Sequence, residues 1–142
     1  MKIEKIEGIG PRYSNKFKEL GIRTTKDLLI QGASKKGRTN IAEYTGLSER
    51  IILEWVNRAD LMRIRGIGEE YSDLLDAAGV DTVKELRSRS PDKLHQALVE
   101  VNVNKKLVRR TPSLSAVKAW VAQAGLAGDP GQPAPPPPKI TY

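Results

Sequence analysis

The chain is 142 residues long, contains no cysteine, and carries 24 Lys and Arg against 17 Asp and Glu, a formal charge of +7. Disulfides and thiolate metal sites are therefore excluded, and the basic excess favours anionic partners such as nucleic acid or an acidic protein surface. No stretch approaches the roughly 20 apolar residues that cross a bilayer, and Met1-Lys2-Ile3-Glu4-Lys5 lacks the apolar run of a signal peptide, so a cytoplasmic protein without membrane contact is expected.

The sequence repeats itself. Ile6-Glu7-Gly8-Ile9-Gly10 returns as Ile64-Arg65-Gly66-Ile67-Gly68. At the same offset of 58, Tyr13, Ser14, Gly21, Thr24 and Leu28 return as Tyr71, Ser72, Gly79, Thr82 and Leu86. Toward the end of each copy the offset is 65: Ser48, Trp55, Val56 and Ala59 answer to Ser113, Trp120, Val121 and Ala124. The second copy has thus gained seven residues, placed around 101–110. The predicted organisation is copy one over 1–60, copy two over 61–127 and a tail over 128–142. Units of about 60 residues are marginal alone, so the copies are expected to pack on one another. Both are basic, with 12 cationic and 8 acidic side chains in the first and 11 and 8 in the second.

In copy one a helix begins at Pro11, a residue suited to a first helical turn; it carries Tyr13, Phe17 and Leu20 on one face and ends at Gly21. Thr24 or Thr25 caps a second helix that runs through Leu29. A third helix is expected over about residues 40–45, with Lys35, Lys36 and Arg38 in a loop before it. Ser48 and Glu49 open a fourth, where Ile51, Ile52, Trp55, Val56 and Ala59 form an apolar stripe. Copy two gives the same outline: a helix with Tyr71, Leu74 and Leu75 before Gly79, one over 82–88, one from about Pro91, and a last one carrying Val117, Trp120 and Ala124. Both tryptophans are placed in the core by these stripes. No segment alternates with period two, so the fold class is all-α. The tail holds six of the nine prolines and predicts an extended, polyproline-like segment.

The run Ile6-Glu-Gly-Ile-Gly-Pro-Arg-Tyr13, followed by Leu20-Gly-Ile-Arg-Thr-Thr-Lys-Asp-Leu28, resembles the helix-hairpin-helix module of DNA repair polymerases, ligases and archaeal recombinases. With Tyr44-Thr-Gly-Leu-Ser48 as a weaker second hairpin, each copy looks like a double helix-hairpin-helix domain. The tandem, over about residues 3–126, is similar to a bacterial family classed only as a domain of unknown function (DUF4332). The resemblance implies that amides of the glycine turn and of the next helix start grip a phosphate oxygen. It also implies a monovalent cation at the hairpin carbonyls, and no other cofactor.

The chemistry fits those residue types. Glycine permits close backbone approach, and a helix N-terminus offers free N–H groups and partial positive charge. The expected nucleic-acid contact is Gly8, Ile9, Gly10, Arg12, Lys16 and Lys18, with Lys105, Lys106, Arg109 and Arg110 as an auxiliary backbone contact. Gly66, Ile67 and Gly68 precede Glu69, Glu70 and Asp73, whose carboxylates would repel phosphate, so the second turn is expected to be mainly structural. The alternative is that both turns only pack helices and the cations are a solvated face. His95 stands alone, and no phosphate loop or nucleophile–base arrangement is evident, so no catalytic residue, no metal site and no enzyme is expected. The leading expectation is sequence-independent, non-enzymatic binding of nucleic acid, with DNA favoured. The alternative is a protein-interaction module using copy two and the tail, where Pro135, Pro136, Pro137 and Pro138 would present Ile140 and Tyr142 to a partner groove.

Overall fold

Each helix starts at a residue chemically suited to a start. The computed structural model describes residues 1–128; residues 129–142, on which the docking expectation for Pro135 to Pro138, Ile140 and Tyr142 rests, lie outside that range. A 3-10 helix, Ile3–Lys5, comes first. It is followed by α1 (Pro11–Glu19), α2 (Thr25–Gly32), α3 (Lys35–Thr45), α4 (Glu49–Leu61), α5 (Glu69–Ala77), α6 (Val83–Arg87), α7 (Pro91–Lys105) and α8 (Leu114–Leu126). The side-chain oxygens of Thr24, Ser34, Ser48, Thr82 and Ser113 each accept the amide three residues on, which satisfies one orphan donor of the first turn. At α2 the cap is reciprocal. The Asp27 carboxylate accepts the N–H groups of Arg23 (3.0 Å) and Thr24 (3.1 Å), which hold its pKa below the ordinary aspartate value.

The fold is all-α: among the described residues the sole extended pairing is an isolated bridge between Lys2 and Thr24. None of the described helices is long and apolar enough to cross a membrane.

Two elements differ from the sequence expectation. The third helix starts at Lys35, not near residue 40, because Ser34 caps it; Lys35, Lys36 and Arg38 are helical rather than looped. The Arg38 guanidinium turns back to donate to the carbonyls of Gly32 (2.9 Å) and Ala33 (3.1 Å) at the end of α2. In copy two the inserted residues partly extend α7, which runs to Lys105 and stops where Lys106 turns left-handed at φ 50°. The loop beyond is clasped by the Asn102 amide, which donates to Val108 O and accepts from Val108 N–H, both at 3.0 Å.

The apolar residues form two clusters. One gathers Ile3, Ile6, Phe17, Leu28, Ile52 and Trp55; the other gathers Ile64, Leu74, Leu75, Leu86, Val117 and Trp120. The changeover falls inside α4, where Ala59 belongs to the first and Leu61 to the second. Polar contacts span the seam. Arg58 on α4 donates to Asp73 (2.5 Å) and Asp76 (3.2 Å) on α5. Asp60, 3% exposed, accepts the Val83 N–H of α6 at 2.8 Å and pairs with Arg63 at 2.7 Å. A continuous helix, the buried Asp60 carboxylate and partly exposed ion pairs thus join the copies.

Candidate functional site

The glycine turns are built alike. Gly8 and Gly66 both sit at φ +95°, a region that L side chains rarely adopt. Ile9 and Ile67 follow, buried in their respective cores, so each turn is pinned by its central side chain and presents only backbone outward. Gly10 and Gly68 cap α1 and α5 without any side-chain bond, and a Cβ on either would meet nothing within 4 Å. Among the described residues, the amides of Gly8, Gly10 and Arg12 donate to no carbonyl or side chain, nor do those of Gly66, Gly68, Glu69 and Glu70. Behind each turn stands an indole: a Cβ on Gly8 would lie 3.5 Å from Trp55, and one on Gly66 only 2.9 Å from Trp120 Nε1. Tyr13 and Phe17 pack on Trp55 with ring centroids 6.0 and 5.9 Å away, and Tyr71 on Trp120 at 5.3 Å. The buried hydroxyls of Ser14 and Ser72 donate back to Pro11 O (3.2 Å) and Glu69 O (2.8 Å), which accounts for a repeated serine.

The cations expected at the first turn are not equivalent. Arg12 is exposed, with its guanidinium carbon 5.8 Å from the Tyr13 ring centroid. Lys16 is half-buried and donates to Thr45 O at 3.3 Å, the last carbonyl of α3. Lys18 pairs with Glu4 at 3.4 Å. Only Arg12 of the three offers its charge without such a partner among the described residues.

Lys105, Lys106, Arg109 and Arg110 are all exposed and form no ion pair among the described residues. Their loop meets the second turn: Tyr71 Oη donates to Arg110 O at 3.1 Å, and Gly66, Tyr71, Arg110, Ser113 and Trp120 line a cleft of about 410 Å³. The second turn is also approached from copy one, since Met1 and Lys5 line a surface hollow with Gly68, Glu69 and Glu70.

The seam beside the first turn brings together residues whose proximity the sequence reading did not foresee. Glu7, Gly8, Trp55, Arg58 and Asp73 line one cleft. Burial first, then the adjacent Glu7 carboxyl, push the Asp73 pKa up to about 6, against the pull of Arg58. A second asymmetry lies at the position shared by Arg58 and Gln123. Gln123 stays within copy two, accepting the Arg65 N–H at 3.0 Å and donating to Arg65 O at 3.4 Å, whereas Arg58 crosses to α5. Among the described residues no three His, Asp or Glu side chains are placed to hold a metal.

The profile of a family described as "Domain of unknown function (DUF4332)" matches residues 7–126, spanning both turns, the second core and all of the first except Ile3 and Ile6. The chain belongs to that family. Its DUF4332 region starts one residue before the first turn and ends with α8. No solved structure matches the chain.

Proposed function

We propose that this DUF4332 protein is a non-enzymatic, sequence-independent nucleic-acid-binding module of helix-hairpin-helix type, with DNA as the favoured ligand. The observation that supports this reading is the first turn itself: unpaired amides at Gly8, Gly10 and Arg12, open space outside Gly10, and an exposed Arg12 side chain. A phosphate oxygen suits such a cradle, and the turn's carbonyls are where a monovalent cation would assist. Lys16 and Lys18 add to the local positive potential while keeping their partners. Lys105, Lys106, Arg109 and Arg110 provide a second, looser backbone contact.

Backbone-amide contacts carry no base information, so affinity should depend on salt rather than on sequence. Fluorescence anisotropy with labelled single- and double-stranded DNA and RNA tests this. Binding should fall by orders of magnitude between about 50 and 200 mM salt if several phosphates are held. Arg12→Glu should weaken it at least tenfold, and more than Lys105→Glu with Lys106→Glu. Absence of binding at the lowest salt would reduce both turns to helix-packing devices.

A protein-interaction role has one observation in its favour. Glu69 and Glu70 flank the open amides of the second turn, an arrangement better suited to a basic peptide than to phosphate. On that reading copy two is the docking face, and binding to nucleic acid would be absent.

A further inference from the structure

Outside the glycine turns, the seam between the copies contains a cleft of about 200 Å³. Its lining includes the aliphatic side chains of Leu29, Leu53 and Val56 from copy one and Val83 from copy two. Leu53 is 42% exposed, so the apolar lining is open to solvent there. Four cations also line it: Arg38 from copy one, and Arg63, Lys84 and Arg87 from copy two. The single lining carboxylate, Asp60, is neutralised by Arg63 and saturated by the Val83 N–H. Arg38 donates to two neutral carbonyls and forms no ion pair among the described residues. Lys84 and Arg87 are exposed and form no ion pair among the described residues.

We infer that this cleft binds a small organic phosphate, a compact apolar body carrying one phosphate monoester. The aliphatic side chains take the body and Lys84 with Arg87 takes the dianion, with Arg38 adding field from copy one. The volume lies below the roughly 300–1,000 Å³ of drug-sized sites, which limits the body to about one ring. A guanidinium and an ammonium together suit a doubly charged, multi-oxygen group better than a single carboxylate. Both copies contribute, and none of the turn amides takes part, so the site is independent of the nucleic-acid reading.

The test is an NMR titration of the full chain with phenyl phosphate, alongside phenol and inorganic phosphate as separate probes. Saturable, one-to-one shifts centred on the amides of Leu53, Val83, Lys84 and Arg87 are expected. Phenol and inorganic phosphate should each bind at least tenfold more weakly than phenyl phosphate. Lys84→Glu with Arg87→Glu should weaken phenyl phosphate at least tenfold, and the milder Lys84→Gln with Arg87→Gln should weaken it measurably. Arg12→Glu should leave it unchanged. Shifts confined to Gly8, Ile9 and Gly10, no shift up to millimolar ligand, or wild-type affinity in both double variants would overturn the inference.

Discussion

Gly8 and Gly66 share a backbone angle and differ in what stands behind them. Replacement by alanine should cost both turns about 1–2 kcal/mol in left-handed strain. At Gly66 the new methyl would also press on Trp120 Nε1 at 2.9 Å, against 3.5 Å from Trp55 at Gly8. Gly66→Ala should therefore lower the urea midpoint more than Gly8→Ala; an equal or reversed order would mean that the indole yields freely. The need for glycine at these positions was legible in the repeat, and so was the burial of both tryptophans. The commitment of Lys16 and Lys18 was not. Lys16 meets a carbonyl 29 residues away, and Lys18 an acid on the preceding 3-10 helix. A run of cations near a turn looks uniform in sequence because such partners come from other elements.

Among the elements, caps were the most readable signal and helix lengths the least. Ser34 carries the same chemistry as Ser48, yet the polar run after it disguises the first two turns of α3, which have few buried residues. In α7 the inserted residues keep the helix going without a matching stripe in copy one, so comparison of the copies gave no warning. The joint between copies is equally hidden. Asp60 has no acidic counterpart at the matching position in copy two, Gly125; its Oδ2 ties α4 to α6 through the Val83 N–H, and its Oδ1 holds Arg63 beyond the end of α4. Asp60→Ala should destabilise the fold by about 3–5 kcal/mol, the range for a buried pair broken on one side. Chemical denaturation would check this, and a loss below about 1 kcal/mol, typical of an exposed ion pair, would show that the seam does not depend on it.

For the whole molecule, the two cores follow from the repeat, whereas their union rests on residues the repeat does not share: Arg58, Asp60 and Asp73. Asp73 makes that union sensitive to pH. Its folded pKa, about 6, lies above the ordinary aspartate value of 3.8, so the folded state binds the proton more tightly than the unfolded chain. The stability this contributes is full below about pH 4 and is lost as pH rises through 6. Melting temperatures from pH 4 to 7 should fall for the wild type relative to Asp73→Asn, which cannot titrate. A constant difference across that range would contradict the raised value. Glu7 and Glu69 press on Asp73 from just before the first turn and from α5 itself, and Arg58 opposes them from α4.

The two indoles have an optical consequence. Trp55 and Trp120 are the chain's only tryptophans, and each stands directly behind one glycine turn. Intrinsic emission is therefore already divided between the two places a ligand would approach, without any label. With Trp120→Phe the remaining fluorophore reports on the first turn, and with Trp55→Phe it reports on the second. A quenching or spectral shift confined to one variant would assign a bound polymer or peptide to its copy in a single titration.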